Sequence, residues 1–124
     1  MKVLVTGAAG LIGSATCREL ARRGHEVVGI DRAQKDVSLP CPLHVVDMLD
    51  HRAVSETAKG CHAVVHLAAY TWMNTGIDPQ VIFNENVAMT YNAMQAVVDT
   101  GATHLIFASS IHAMRNTVWP AVED

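Results

Sequence analysis

The chain has 124 residues, half of them hydrophobic and 17% charged, with a formal net charge of −3 at pH 7. That length suits one domain with a modest core, and the balance excludes a disordered tail. No run of Lys or Arg is present to hold a phosphate backbone or an anionic membrane surface, so no nucleic acid and no membrane is expected as partner.

The first apolar run stops at Val5, too short for a secretion signal or a membrane span. Cys17, Cys41 and Cys61 form no C-x-x-C pair, and no histidine sits in an H-E-x-x-H frame. Three reduced thiols in a cytoplasmic protein without a metal site are expected.

Val3-Leu4-Val5, ended by Thr6-Gly7, reads as a buried strand. Residues 11–23 place Leu11, Ile12, Ala15, Leu20 and Ala21 on an apolar helical face. Arg22 and Arg23 sit in its last turn, and Gly24 caps it. A second strand from Glu26 to Ile30 closes on Asp31. After a polar loop over 32–41, a third strand from Leu43 to Val46 ends at Asp47. Asp50 can cap a short helix over 51–59, and Ala63 to Leu67 form a fourth strand. Residues 70–76 read as a loop. Asp78-Pro79 then starts a long helix reaching about Thr100, an acceptor followed by proline at the first helical position. Within it Val87, Tyr91, Met94 and Val98 recur at three- and four-residue steps, which predicts a buried stripe. His104 to Ala108 is a fifth strand ending at Ser109-Ser110, and residues 111–124 show no period.

Strands alternating with helices imply an α/β fold of parallel units, and right-handed crossovers give the strand order 3-2-1-4-5. This predicts a Rossmann-type doubly wound sheet of five strands, with residues 1–124 forming one domain. Ligands of such sheets bind outside the carboxyl ends of the strands.

Gly7, Gly10 and Gly13 lie between a predicted strand and a predicted helix, the context a phosphate-binding turn requires. Gly7 permits the turn, Gly10 lets backbone N–H groups approach a pyrophosphate, and Gly13 lets the helix pack close to the sheet. The N–H groups of the first helical turn, from Leu11 and Ile12 onward, favour an anion. Asp31 ends the second strand 18 positions after Gly13, where a carboxylate can accept both hydroxyls of an adenosine ribose. It would repel a 2′-phosphate, which favours NAD over NADP, although Arg32 beside it could pair with that phosphate.

With those residues placed, the sequence resembles the N-terminal part of the extended short-chain dehydrogenase/reductase family, the NAD-dependent epimerase/dehydratase group. Thr6-Gly7-Ala8-Ala9-Gly10-Leu11-Ile12-Gly13 resembles its T-G-x-x-G-x-x-G turn, and the passage from Leu20 to Val27 its helix-to-strand passage. His66-Leu67-Ala68-Ala69, Asn86-Val87 and Phe107-Ala108-Ser109-Ser110 resemble later segments in the same order. The resemblance implies that Asp47 and Met48 flank the adenine, and that Leu67, Ala68 and Ala69 run past the cofactor. It also implies that Asn86 holds neighbouring backbone. Ser110, with Ser109 as the alternative, would hydrogen-bond a substrate carbonyl or hydroxyl. Competing readings are ordinary: a strand-to-helix turn for Asp47-Met48, a satisfied buried hydrogen bond for Asn86, and turn formation for the two serines. The Ser-Ser-Ile-His string from Ser109 to His112 is similar to the uronate-dehydrogenase branch.

The family's reaction also implies a Tyr-x-x-x-Lys pair beyond the serine, with the tyrosine as general acid/base. The chain has only Tyr70 and Tyr91, both before Ser110, and position 95 is Gln95. The match fails, so the sequence looks cut upstream of the catalytic base, with a loop such as Glu123-Asp124 at the cut. Cofactor binding without efficient turnover is expected, with a small-molecule substrate engaged only if the C-terminal part is supplied. The fifth strand, left as an apolar edge, would favour self-association. The alternative reading is a non-catalytic dinucleotide sensor or interaction module. A methyltransferase would share the architecture but leaves the glycine turn unexplained.

Overall fold

The computed structural model describes residues 1–71 and 76–110. In chain order the elements are β1 (Lys2–Thr6), α1 (Leu11–Arg22), β2 (Glu26–Asp31), β3 (Leu43–Val45), α2 (His51–Ala58), β4 (Ala63–His66), α3 (Pro79–Thr100) and β5 (His104–Phe107). All strands run parallel in the order β3-β2-β1-β4-β5, as the alternation of elements predicts. The chain therefore reverses its winding beside β1, and the C-terminal ends of β1, β2 and β4 share one edge. In register, Thr6 stands opposite Ile30 on one side and His66 on the other.

Alternation along the strands builds two apolar layers. Val3, Val5, Val27, Ala63 and Val65 face α1 and pack around Cys17 and Ala8. Leu4, Ile30 and Val64 face the other way, onto Val54 and Ala58 of α2 and Met89, Ala93 and Ala96 of α3. The helix ends follow local chemistry. Asp50 accepts from Ala53 N–H at 3.0 Å, Asp78 accepts from Gln80 N–H at 2.7 Å, and Gly101 closes α3 with a φ of 71°.

Two predicted faces are corrected. On α1 the buried positions are Gly13, Ser14 and Cys17, with Leu20 and Ala21 packed at the rim, while Leu11, Ile12 and Ala15 face solvent. On α3 the stripe of Val87, Tyr91, Met94 and Val98 is exposed, by 54, 62, 46 and 72%. The buried face is instead Ile82, Met89, Asn92, Ala93 and Ala96. The helix is apolar on two sides, and periodicity alone does not say which side meets the sheet. Small residues decide it: Ala93 and Ala96 permit close packing, and Asn92 Nδ2 donates to the Met48 carbonyl at 2.8 Å.

Candidate functional site

The glycine turn is built by contact as well as conformation. Gly7 has a φ of 66°, and a Cβ there would lie 2.9 Å from Ala68 N. A Cβ on Gly13 would lie 2.0 Å from the Gly7 carbonyl oxygen, so no other residue fits without moving the turn. Gly10 N–H donates to Gly7 O at 3.0 Å and Gly10 is the N-cap of α1, with no side chain capping it. The first N–H groups of α1 are thus available to an anion. The Leu11 and Ile12 side chains point to solvent, so only their backbone can serve this purpose.

Across the edge, Asp31 is 7% exposed at the end of β2. Its Oδ2 accepts from Ala9 N–H at 3.1 Å and meets Lys35 Nζ at 3.6 Å. Both of these contacts use Oδ2. Lys35 is half exposed, so this ion pair is weak and readily displaced. The Arg32 guanidinium lies over the Tyr70 ring, 4.7 Å from its centroid, and spans from the end of β2 to the segment after β4.

That segment is held at both ends. The Thr6 hydroxyl accepts from Leu67 N–H at 3.1 Å and from Ala68 N–H at 3.0 Å. Asn86 accepts from Tyr70 N–H at 2.8 Å through Oδ1, and its Nδ2 donates to Tyr70 O at 3.0 Å. A mid-helix asparagine is thereby satisfied by pairing with one peptide unit, as a cross-strand neighbour would be.

Together these groups enclose a cleft of about 170 Å³. Gly7, Gly10, Asp31, Arg32, Asp47, Met48, Leu67, Ala68 and Ala69 line it, so the structure gathers nine of the sequence-predicted positions in one place. Gly13 and Asn86 act from behind, as described. Ser109 and Ser110 follow β5, are exposed and do not line the cleft. Ile111, His112, Glu123 and Asp124 lie outside the described residues. Sequence reasoning missed Lys35, Tyr70 and Met89 as lining residues. Lys35 was detectable as a cation four positions after Asp31. Tyr70 and Met89 carry no local signal, because their place depends on the packing of α3.

A second constellation resembles a nucleophilic triad but is not one. Ser55 Oγ donates to Asp99 Oδ2 at 2.9 Å, and His51 Nε2 meets the same oxygen at 2.8 Å. The same His51 nitrogen lies 3.3 Å from Ser55. A relay needs the imidazole to bridge hydroxyl and carboxylate through its two different nitrogens. The bond from Gln95, with those from Ser55 and His51, holds the Asp99 carboxyl below its usual range, and the Ser55 and His51 bonds tie α2 to α3. Among the described residues no group of three or more His, Cys, Asp or Glu could hold a metal ion. No helix among them is long and apolar enough to cross a membrane.

The chain is similar to known proteins over nearly its whole length. UDP-glucose 4-epimerase of Lactobacillus helveticus is 33% identical over 117 residues, covering 89% of this chain and 36% of the relative. The structure of the Thermus thermophilus UDP-glucose 4-epimerase complexed with NAD superposes with a TM-score of 0.77 at 32% identity. It covers 89% of this chain and 38% of that one. Uronate dehydrogenase from Agrobacterium tumefaciens gives 0.73 at 29% identity, covering 88% and 40%. The chain spans less than half the length of these relatives, as it does of L-arabinose 1-dehydrogenase (NAD(P)(+)) of Haloferax volcanii, of which it covers 44% at 32% identity. The profile of the NAD dependent epimerase/dehydratase family matches residues 3–117, and the chain belongs to that family.

Proposed function

We propose that this chain is the NAD-binding part of an oxidoreductase, epimerase or dehydratase acting on a sugar-like or nucleotide-sugar substrate. One observation carries the reading: the glycine turn that tolerates no Cβ at Gly13 opens onto the same cleft as the buried Asp31 carboxylate. The turn and the α1 N-terminus receive the pyrophosphate, and Asp31 Oδ1 accepts from the adenosine ribose. Met48 and Asp47 flank the adenine, while Leu67, Ala68 and Ala69 run past the nicotinamide half. Asp31 disfavours a 2′-phosphate, and Arg32, engaged on Tyr70, offers it only partial compensation. NAD is therefore preferred to NADP.

The bound cofactor supplies transient hydride transfer, and this chain's residues bind and orient it. Ser110, with Ser109 as the alternative, orients the reacting oxygen of the substrate. The general acid/base of the family is not among these residues, since neither Tyr70 nor Tyr91 has a lysine four positions on. The cleft is also smaller than the roughly 300–1,000 Å³ of a typical ligand site, so it encloses part of a dinucleotide and another wall completes it. Turnover thus needs a segment carrying Tyr-x-x-x-Lys. A second reading, a non-catalytic dinucleotide sensor, would be eliminated by turnover once such a segment is supplied. The setting is cytoplasmic, with all three cysteines as free thiols.

Self-association belongs to the same proposal. β5 is an edge of the described sheet with Ile106 and Phe107 about half exposed, and α3, which touches it, carries an exposed apolar stripe. A second copy of the chain covers this flank.

Calorimetric titration with NAD and then NADP at matched salt tests the cofactor assignment. Saturable NAD binding is expected, weakened about tenfold or more by Asp31→Ala, the loss of one charge-assisted hydrogen bond. Failure of the folded chain to bind either dinucleotide would overturn the assignment for this chain alone.

A further inference from the structure

His66 is 2% exposed at the end of β4, and none of the roles above uses it. Its Nδ1 lies 2.8 Å from Thr6 Oγ1, its Nε2 lies 3.4 Å from Thr90 Oγ1, and its ring stacks on Phe107 at 6.1 Å between centroids. Proton counting fixes its state from both sides. Thr6 Oγ1 already accepts from the Leu67 and Ala68 N–H groups, so both of its lone pairs are occupied. Its single proton must go to His66 Nδ1, which is then an acceptor. On the other side, Thr90 Oγ1 donates its proton to the Asn86 carbonyl at 2.9 Å. It can only accept from the imidazole, so Nε2 carries the hydrogen. Two independent hydroxyls require the same neutral tautomer.

We propose that His66 is a positioning residue, locked as the Nε2–H tautomer so that it aims the Thr6 hydroxyl and thereby fixes the Leu67–Ala68 wall of the cleft. The same imidazole couples that wall to α3, because Thr90 reaches the backbone of Asn86, whose side chain grips Tyr70. One continuous set of hydrogen bonds thus runs from β1 through His66 to both ends of the 67–70 segment. The Nδ1–H tautomer, or a doubly protonated ring, would point a donor at the Thr6 proton. Thr6 would then have to turn its proton elsewhere and release a backbone N–H. Burial alone holds the His66 pKa down at about 4, which keeps the ring neutral across the physiological range. The proposal depends on the dinucleotide reading only for what the wall contacts.

The test uses the full chain and does not require a ligand. Imidazole nitrogen NMR should show His66 with Nδ1 bare and Nε2 protonated, unchanged from pH 7.5 to pH 5.5. Amide exchange at Leu67 and Ala68 should quicken about tenfold in His66→Phe, which keeps a ring over Phe107 but offers no acceptor. His66→Asn, whose amide oxygen can take the Thr6 proton, should restore most of that protection. An Nδ1–H tautomer in the parent chain, or protection unchanged in both variants, overturns the proposal even if His66→Phe folds poorly. If tautomer and protection behave as stated but NAD fails to bind the parent, the cofactor assignment falls and the role of His66 in fixing the wall stands.

Discussion

The centre of the sheet and its β5 flank obey different rules. Around β1, β2 and β4 every apolar side chain from Val3 to Val5 and from Ala63 to Val65 is buried on one face or the other. The polar groups there are paired with equal care: Thr6, Asp31 and His66 are each buried, and each has a partner. On the flank, the consecutive Ile106 and Phe107 of β5 are both half exposed beside a partly buried Leu105, and α3 turns an apolar stripe outward. The centre is finished as a protein interior, while the flank has the composition of an interior and the exposure of a surface. Exposed apolar patches of this kind are where another surface docks.

That contrast is sharpest in truncation energies. Leu4→Ala, at a fully buried site, should cost about 4 kcal/mol, the sum of lost transfer energy and a cavity that the sheet cannot collapse. Val98→Ala, at 72% exposure, should stay within about 0.5 kcal/mol. Urea unfolding of both variants measures the pair. Equal costs would mean that the flank is covered in solution as firmly as the centre.

The pairing of the central polar groups gives stability a pH dependence. His66 is held down at about 4 against its ordinary 6.5, so between these values the unfolded chain binds more protons than the folded one. Its contribution is complete above about pH 6.5, falls as pH drops, and stops falling below about pH 4. At 1.4 kcal/mol per pKa unit the total loss is about 3 kcal/mol. The groups facing the ring are Thr6 from β1, Thr90 from α3 and Phe107 from β5, none of which titrates. Unfolding at pH 7 and pH 4.5 should therefore show a steep loss that His66→Asn flattens. A parallel loss in the two proteins would assign the slope to other groups.

How much of this was legible in the sequence follows the same division. The glycine turn, the end of β2 at Asp31 and the cap at Asp50 are set by residues within a few positions of one another, and local chemistry reveals them. The strand order follows from alternation and handedness, which are properties of any such chain. The role of His66 was hidden because Thr6, His66 and Thr90 meet only once β1, β4 and α3 are assembled. The α3 stripe was visible but assigned to the wrong side. A helix with apolar residues around most of its circumference needs the position of Ala93 and Ala96 against α2 and the sheet to break the tie.

If a second copy covers the flank, as proposed, the outward stripe supplies a geometry for it. Phe83, Val87, Tyr91, Met94 and Val98 are all exposed on one helix of 22 residues, about 33 Å long. Their spacing reads nearly the same in both directions, with Phe83 matching Val98 and Val87 matching Met94 about Tyr91. A two-fold axis near Tyr91 would lay two copies of α3 antiparallel, each residue meeting its counterpart, which is the condition for a self-complementary closed dimer. The only acidic side chains on the helix, Glu85 and Asp99, lie outside the stripe. Tyr91→Glu sets two like charges at the axis and should weaken the dimer by at least about tenfold in sedimentation, with the monomer's unfolding midpoint unchanged. Ile106→Lys on β5 serves as the contrasting variant. Loss of association with Ile106→Lys but not with Tyr91→Glu would move the contact to the sheet edge. Sedimentation of the parent as a monomer at every concentration would remove the interface altogether.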